Sequence, residues 1–171
     1  MIERERYMQR IRPFIDKDVV KVLTGLRRAG KSVMLELIKA ELLKNGVSEE
    51  RFISFNFESL ANEKYCTAKA LYEELCKRMS DIKDKAYIFL DEIQEVADWE
   101  KCINSMRVDY NCDIFITGSN AKLLSGELAT YLGGRYVEFV IYPFSFGEYL
   151  ESRRISEGDI SISEEFKTYI D

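Results

Sequence analysis

The stretch that most constrains this chain is TGLRRAGKS, residues 24–32, preceded by DVVKVLTG and followed by KSVMLELIKAELLKNG. The first flank is a short β-rich run. The second has helical periodicity and stops at Asn45-Gly46, a good helix C-cap. From Gly25 to Ser32 the loop fits the spacing G-x-x-x-x-G-K-[ST]. Gly25 and Gly30 permit backbone conformations that aim consecutive N–H groups at one anion, and the helix that follows adds the positive end of its dipole. Lys31 is then placed for β- and γ-phosphates, and the Ser32 hydroxyl for Mg²⁺. The phosphate-binding stretch is Gly25, Leu26, Arg27, Arg28, Ala29, Gly30, Lys31, Ser32 and Val33, with the main chain making most of the contact. Side chains in the variable part point outward in such loops. Arg27 and Arg28 are therefore expected to meet acidic neighbours, another domain or solvent.

A phosphate loop binds, but hydrolysis needs acids beside it. AYIFLDE, residues 86–92, is a continuous apolar run ending in two carboxylates, the pattern of a strand buried on both faces. The segment from Lys31 to Asp91 has room for helix, strand and helix. Asp91 is placed to organise Mg²⁺ and its water shell. Glu92 follows directly and can accept a proton from an attacking water, as a general base does. The pair argues for hydrolysis of ATP rather than simple storage. No N-K-x-D base-reading motif is present, which disfavours GTP.

The remaining pattern is consistent with one α/β domain. Residues 2–15 read as a short helix with Tyr7, Ile11, Phe14 and Ile15 on one face. RFISFNF, DIFITGS and RYVEFVIYP read as further strands, with Thr67 capping a helix to about Met79 and another helix over Trp99–Val108. NAKLLSGELATYL is expected to be helical. Such alternation predicts a parallel sheet with helices on both faces. With 171 residues, 46% of them hydrophobic, the chain can build a real core, and two prolines and nine glycines argue against disorder.

Net charge is -5, which excludes a globally basic nucleic-acid surface. Charge is uneven, however: Arg4, Arg6, Arg10, Arg12, Lys17, Lys21, Arg27, Arg28 and Lys31 make the first segment basic. This reads as a solvated N-terminal helix ahead of a phosphate site rather than a nucleic-acid arm. Four cysteines without a C-x-x-C pair, and no histidine, read as reduced core thiols rather than a zinc site. The N-terminus has no signal-peptide character and no apolar run could span a bilayer, so a cytoplasmic location is expected.

With these elements in place, the sequence resembles the AAA+ superfamily of P-loop ATPases, and more narrowly a large group of bacterial and archaeal predicted ATPases. The resemblance rests on five ordered blocks between about residues 18 and 150: LTGLRRAGKS, FLDEIQEVADWE, FITGSNAKLL, LGGRY and YPFSFGEYL. It implies a three-layer α-β-α P-loop NTPase sandwich with a five-stranded parallel sheet in the order 5-1-4-3-2. It implies that Thr117, Ser119 and Asn120 cover a sensor site near the γ-phosphate. It also implies that Arg135 stands where an arginine finger acts across a subunit boundary, and that Asn56 can hydrogen-bond the catalytic Glu92. Residues 1–17 are then an N-terminal helix, 18–150 the ATPase core, and 151–171 the start of a lid or next domain of a longer chain. The expected catalytic set is Glu92, Lys31 and Arg135, with ATP and Mg²⁺ as ligands and Ser32 and Asp91 as the metal-facing pair. Expected partners are a further copy of the chain and an unidentified protein or nucleic acid, with no membrane. The alternative is a nucleotide-operated switch in which slow hydrolysis times a bound state. A small-molecule kinase would need an acceptor pocket and a lid that the sequence does not show.

Overall fold

The computed structural model describes residues 2–119, 132–153 and 162–170. Five strands form one parallel sheet: β1 (Val20–Gly25), β2 (Phe52–Asn56), β3 (Ala86–Asp91), β4 (Cys112–Ser119) and β5 (Tyr136–Ile141). Their order is β2-β3-β4-β1-β5, the expected 5-1-4-3-2 read from the other edge. Between them run α2 (Lys31–Lys44), α3 (Ala68–Met79) and α4 (Trp99–Asp109), with α1 (Glu5–Ile11) ahead and α5 (Phe146–Ser152) and α6 (Ile162–Ile170) behind.

The two faces of the sheet separate by strand periodicity. Along β3, Ala86, Ile88 and Leu90 face α3 and α4, where they meet Leu71, Leu75, Ile103 and Met106. Tyr87 and Phe89 face the other way, into a cluster with Met8 and Ile11 of α1 and Met34, Leu35 and Ile38 of α2. Every residue of β1 and β3 is buried, because strands inside a parallel sheet are covered on both sides. This is a three-layer α-β-α arrangement.

Local signals set the ends of the helices. The Thr67 hydroxyl accepts from the Ala70 amide at 3.3 Å and starts α3. Ser145 and Glu148 form a reciprocal capping box on α5. The helix expected over residues 2–15 is shorter: α1 ends at Ile11 and passes into a 3-10 turn at Arg12–Phe14. Pro13 lacks the N–H that would continue it. The helix expected in NAKLLSGELATYL lies, apart from Leu132, outside the described residues.

The basic first segment is not a solvated face throughout. Arg4 is 3% exposed and Lys21 fully buried. Lys21 pairs with buried Asp113 on β4 and also donates to the Lys17 carbonyl at 2.8 Å. Burial pulls the Lys21 pKa down and pushes that of Asp113 up, against their mutual attraction. The second Asp113 oxygen accepts from the Asp16 amide at 2.8 Å, so the pair anchors the N-terminal segment to the amino edge of the sheet. Arg12 forks onto Glu5 and onto Glu41 of α2. Arg4, Lys21 and Lys31 of this segment are thus buried, while Arg6, Arg10, Arg12 and Lys17 remain exposed.

Candidate functional site

The parallel register brings the carboxyl ends of the strands into one row. Gly25 lies opposite Ser119 on one side and Ile141 on the other, and Asn56 lies opposite Asp91. The loop that leaves β1 here needs its glycines. At Gly25, φ is +150° and a Cβ would sit 2.1 Å from the Ile141 carbonyl oxygen. Gly30 has φ +90° and forms the N-cap of α2. No side chain caps that helix and its first turn holds no acid, so its leading amides and dipole face an open position suited to an anion.

Lys31 is 3% exposed. Its Nζ is 3.1 Å from the Leu26 carbonyl, 3.4 Å from that of Gly25 and 3.5 Å from Glu92 Oε1. These distances are long for an ammonium, whose strong hydrogen bonds fall near ~2.8 Å. A buried cation held this loosely is a good partner for phosphate oxygens, so the donor set fits a bound polyphosphate.

The carboxylates are held more firmly. Asp91 Oδ1 accepts from the Thr117 hydroxyl at 2.5 Å and Oδ2 from Asn56 Nδ2 at 3.2 Å. The same Thr117 oxygen accepts from the Glu92 amide at 3.0 Å, so β4 fixes both acids at once. Glu92 adopts φ +54°, a left-handed conformation unusual for a residue with a Cβ. This bend carries its side chain toward the β1 loop, where Oε1 meets Lys31 and Oε2 accepts from Gln94 Nε2 at 2.6 Å. Ser32, Asn56 and Asp91 share the wall of a cavity of about 300 Å³ between α2 and strands β2 and β3. A hydroxyl and a carboxylate around such a space suit Mg²⁺, which keeps several waters and takes its other ligands from phosphate.

Other expected site residues fall as follows. Ser119 ends β4 beside Gly25; Asn120 lies outside the described residues. Thr117 is buried and engaged with the two acids. Asn56 donates to Asp91 rather than to Glu92. The register places it opposite Asp91, while Glu92 has already turned away. Leu26, Arg27, Arg28, Ser32 and Val33 are exposed and Ala29 is buried.

Arg135 is not brought to this end. It is exposed and precedes β5, and its carbonyl accepts from the Val20 amide at 3.0 Å. Six residues of extended chain separate it from Ile141, about 20 Å at the usual strand rise, which is more than an arginine side chain spans. There it adds to the field on Asp18, whose carboxyl is held below its ordinary range mainly by a hydrogen bond from Arg107.

Two contributors carry no sequence signal of their own. Gln94 clamps Glu92 from two residues along the same turn. Arg4 donates to the Ala29 carbonyl at 2.8 Å and so reaches the β1 loop from the far N-terminus.

Arg27 is 3.5 Å from Glu58, with most of its side chain in solvent, and Arg28 is exposed in a left-handed conformation at φ +64°. Exposed pairs of this kind contribute little. Replacing both by alanine is expected to change nucleotide affinity by no more than about threefold in a binding titration. A loss of an order of magnitude would mean that they contact the ligand.

Taken together, the fold and this end of the sheet define a P-loop nucleotide-binding α/β domain. Residues 17–150 match the AAA domain family, and the chain belongs to it. It is 42% identical over 169 residues to an uncharacterized protein of Haemophilus influenzae, covering 99% of this chain and 42% of that one. It is 37% identical over 137 residues to an uncharacterized protein of Methanocaldococcus jannaschii, covering 80% of this chain and 29% of that one. The chain therefore spans less than half the length of these relatives. Among solved structures it is similar to the Aeropyrum pernix ORC1 protein in complex with DNA. The TM-score is 0.62 at 18% identity, over 90% of this chain and 50% of that one. It is also similar to Saccharomyces cerevisiae Hsp104 in a complex with casein, with TM-score 0.60 and 15% identity over 90% of this chain and 29% of that one. At such identities the likeness concerns the fold. Among the described residues, no helix is long and apolar enough to cross a membrane.

Proposed function

We propose that this chain binds ATP with Mg²⁺ and hydrolyses the β–γ phosphate bond. The observation that carries this reading is the convergence of Glu92 and Lys31, whose charged groups are 3.5 Å apart although one follows β3 and the other opens α2. Lys31 and the loop amides would hold the β- and γ-phosphates, and Ser32 and Asp91 would hold Mg²⁺. When bound, the metal would neutralise charge on the phosphate oxygens. Glu92 would exchange its contact with Lys31 for a water and take that water's proton. Gln94 and the Glu92 amide contact to Thr117 keep the base oriented. Ser119, at the end of β4 beside the loop, and Thr117, bonded to both acids, are the sensor candidates among the described residues.

Phosphate release from ATP by the purified chain tests this. Release is expected with Mg²⁺ and should be lost when EDTA removes it. Release that persists in EDTA would contradict the assignment of Ser32 and Asp91.

The position of Arg135 supports a second reading. This arginine cannot reach its own phosphate end, so it would act on a neighbouring copy, where a guanidinium raises turnover strongly. A lone chain would then hydrolyse slowly and serve as a nucleotide-timed switch that recruits a protein or nucleic acid. Residues 1–17, 18–150 and 151–171 would be its helical lead, core and the start of a lid or further domain. A cytoplasmic setting suits this use.

A further inference from the structure

Arg4 is the residue whose placement the phosphate chemistry above does not use. Its side chain is fully buried, and it links three separate elements. Nη1 donates to the Ala29 carbonyl of the β1 loop at 2.8 Å, and Nη2 to the Tyr142 carbonyl just after β5 at 2.7 Å. Nε donates to Glu148 of α5 at 2.9 Å. The guanidinium also lies 4.6 Å from the Tyr7 ring centre and 5.2 Å from that of Phe144. Burying an arginine costs several kcal/mol unless its donors are satisfied. This one is satisfied largely by main-chain oxygens that belong to the functional end of the fold.

Glu148 completes the arrangement. Burial alone would raise its pKa, but the Ser145 amide, the Arg4 guanidinium and the Ser145 hydroxyl outweigh that and hold it below its ordinary value. The partner of Arg4 is therefore ionised at neutral pH. The capping box that fixes α5 and the ion pair that fixes Arg4 share this one carboxylate.

We infer that Arg4 is a positioning residue for phosphate binding: it sets the Ala29–Gly30 peptide of the β1 loop and ties that peptide to α5. The carbonyl and N–H of one trans peptide point in opposite directions. Drawing the Ala29 oxygen toward Arg4 therefore turns the Gly30 N–H away from it and fixes the amide that leads into α2. Space around the loop reinforces this, because a Cβ on Gly30 would lie 3.1 Å from Arg4 Nη1. Without the guanidinium the peptide is free to rotate, and an amide donor is lost to the phosphate. The same link means that a shift of the loop on phosphate binding is felt at Glu148 and α5. This inference rests on the nucleotide reading above.

Its rival lies close by. Arg4 also lines a cleft of about 720 Å³ with Tyr7, Tyr142 and Phe144, roomy enough for a nucleobase. The test therefore compares ATP with inorganic tripolyphosphate, which has no base, by calorimetric titration of the whole chain. Arg4→Ala is expected to weaken both ligands about ten- to a hundredfold, the range for loss of a charged hydrogen-bond donor. Arg4→Lys, which keeps the charge but cannot reach all three acceptors, should fall between, with a smaller loss of melting temperature than Arg4→Ala. It carries the test if the alanine variant does not fold. Unchanged tripolyphosphate affinity, whether or not ATP weakens, overturns the proposal. A wild type that binds neither ligand overturns the nucleotide reading itself.

Discussion

Replacing Glu92 by glutamine is expected to lower ATP turnover by about a hundredfold or more, the range for loss of a general base. ATP affinity should stay within about threefold, because the loop amides and Lys31 make the phosphate contacts. The geometry supports this separation. Glutamine has nearly the same shape and can still accept from Gln94, so the turn at Ile93–Glu95 should persist. What is lost is the capacity to take a proton. A modest gain in affinity is also consistent, since Lys31 no longer has a carboxylate competing with phosphate at 3.5 Å. Undiminished turnover in this variant would remove Glu92 from the mechanism.

The largest expected structural effect is that of Gly25→Ala. A Cβ there meets the Ile141 carbonyl oxygen at 2.1 Å, and that oxygen belongs to the backbone of the adjacent strand. It cannot swing aside as a side chain would. Either the β1–β5 pairing opens at its carboxyl end or the loop leaves its course. A destabilisation of about 3 kcal/mol is expected, at the upper end for forced overpacking, together with loss of nucleotide binding. Gly46→Ala is the control. Its φ is +88°, but nothing lies within 4 Å of the added carbon, so only the backbone cost of about 1 kcal/mol remains. Urea denaturation of the two variants would compare them. Equal stabilities would mean that the close approach of β1 and β5 does not constrain the loop.

Much of this organisation was legible along the chain because its signals are local. The spacing from Gly25 to Ser32 names a loop, AYIFLDE names a buried strand with acids at its end, and Thr67 names a helix start. Each depends on neighbours within one element, as periodicity and capping do. Sheet order came from the resemblance rather than from the residues, and the structure has that order.

Contacts between distant residues were not legible. Arg4 looked like one charge among many in a basic lead, yet its partners are Ala29, Tyr142 and Glu148. Lys21 likewise finds Asp113 across the sheet. Asn56 was expected to bond Glu92, but strand register gives it Asp91 instead. The left-handed turn at Glu92, which decides that outcome, has no signature in a residue that usually avoids it. Gln94 stands in plain view in FLDEIQ, but only the turn brings its amide onto Glu92.

Titration of Mg²⁺-ATP into the wild-type chain and into Lys31→Ala tests the central claim most directly. Lys31 is the buried cation around which the loop, Glu92 and the start of α2 are arranged. The wild type should bind ATP saturably, and the variant should bind at least about a hundredfold more weakly, as expected when a desolvated charge-assisted contact is lost. A wild type that does not bind ATP, or a variant that binds it as well as the wild type does, would contradict the account.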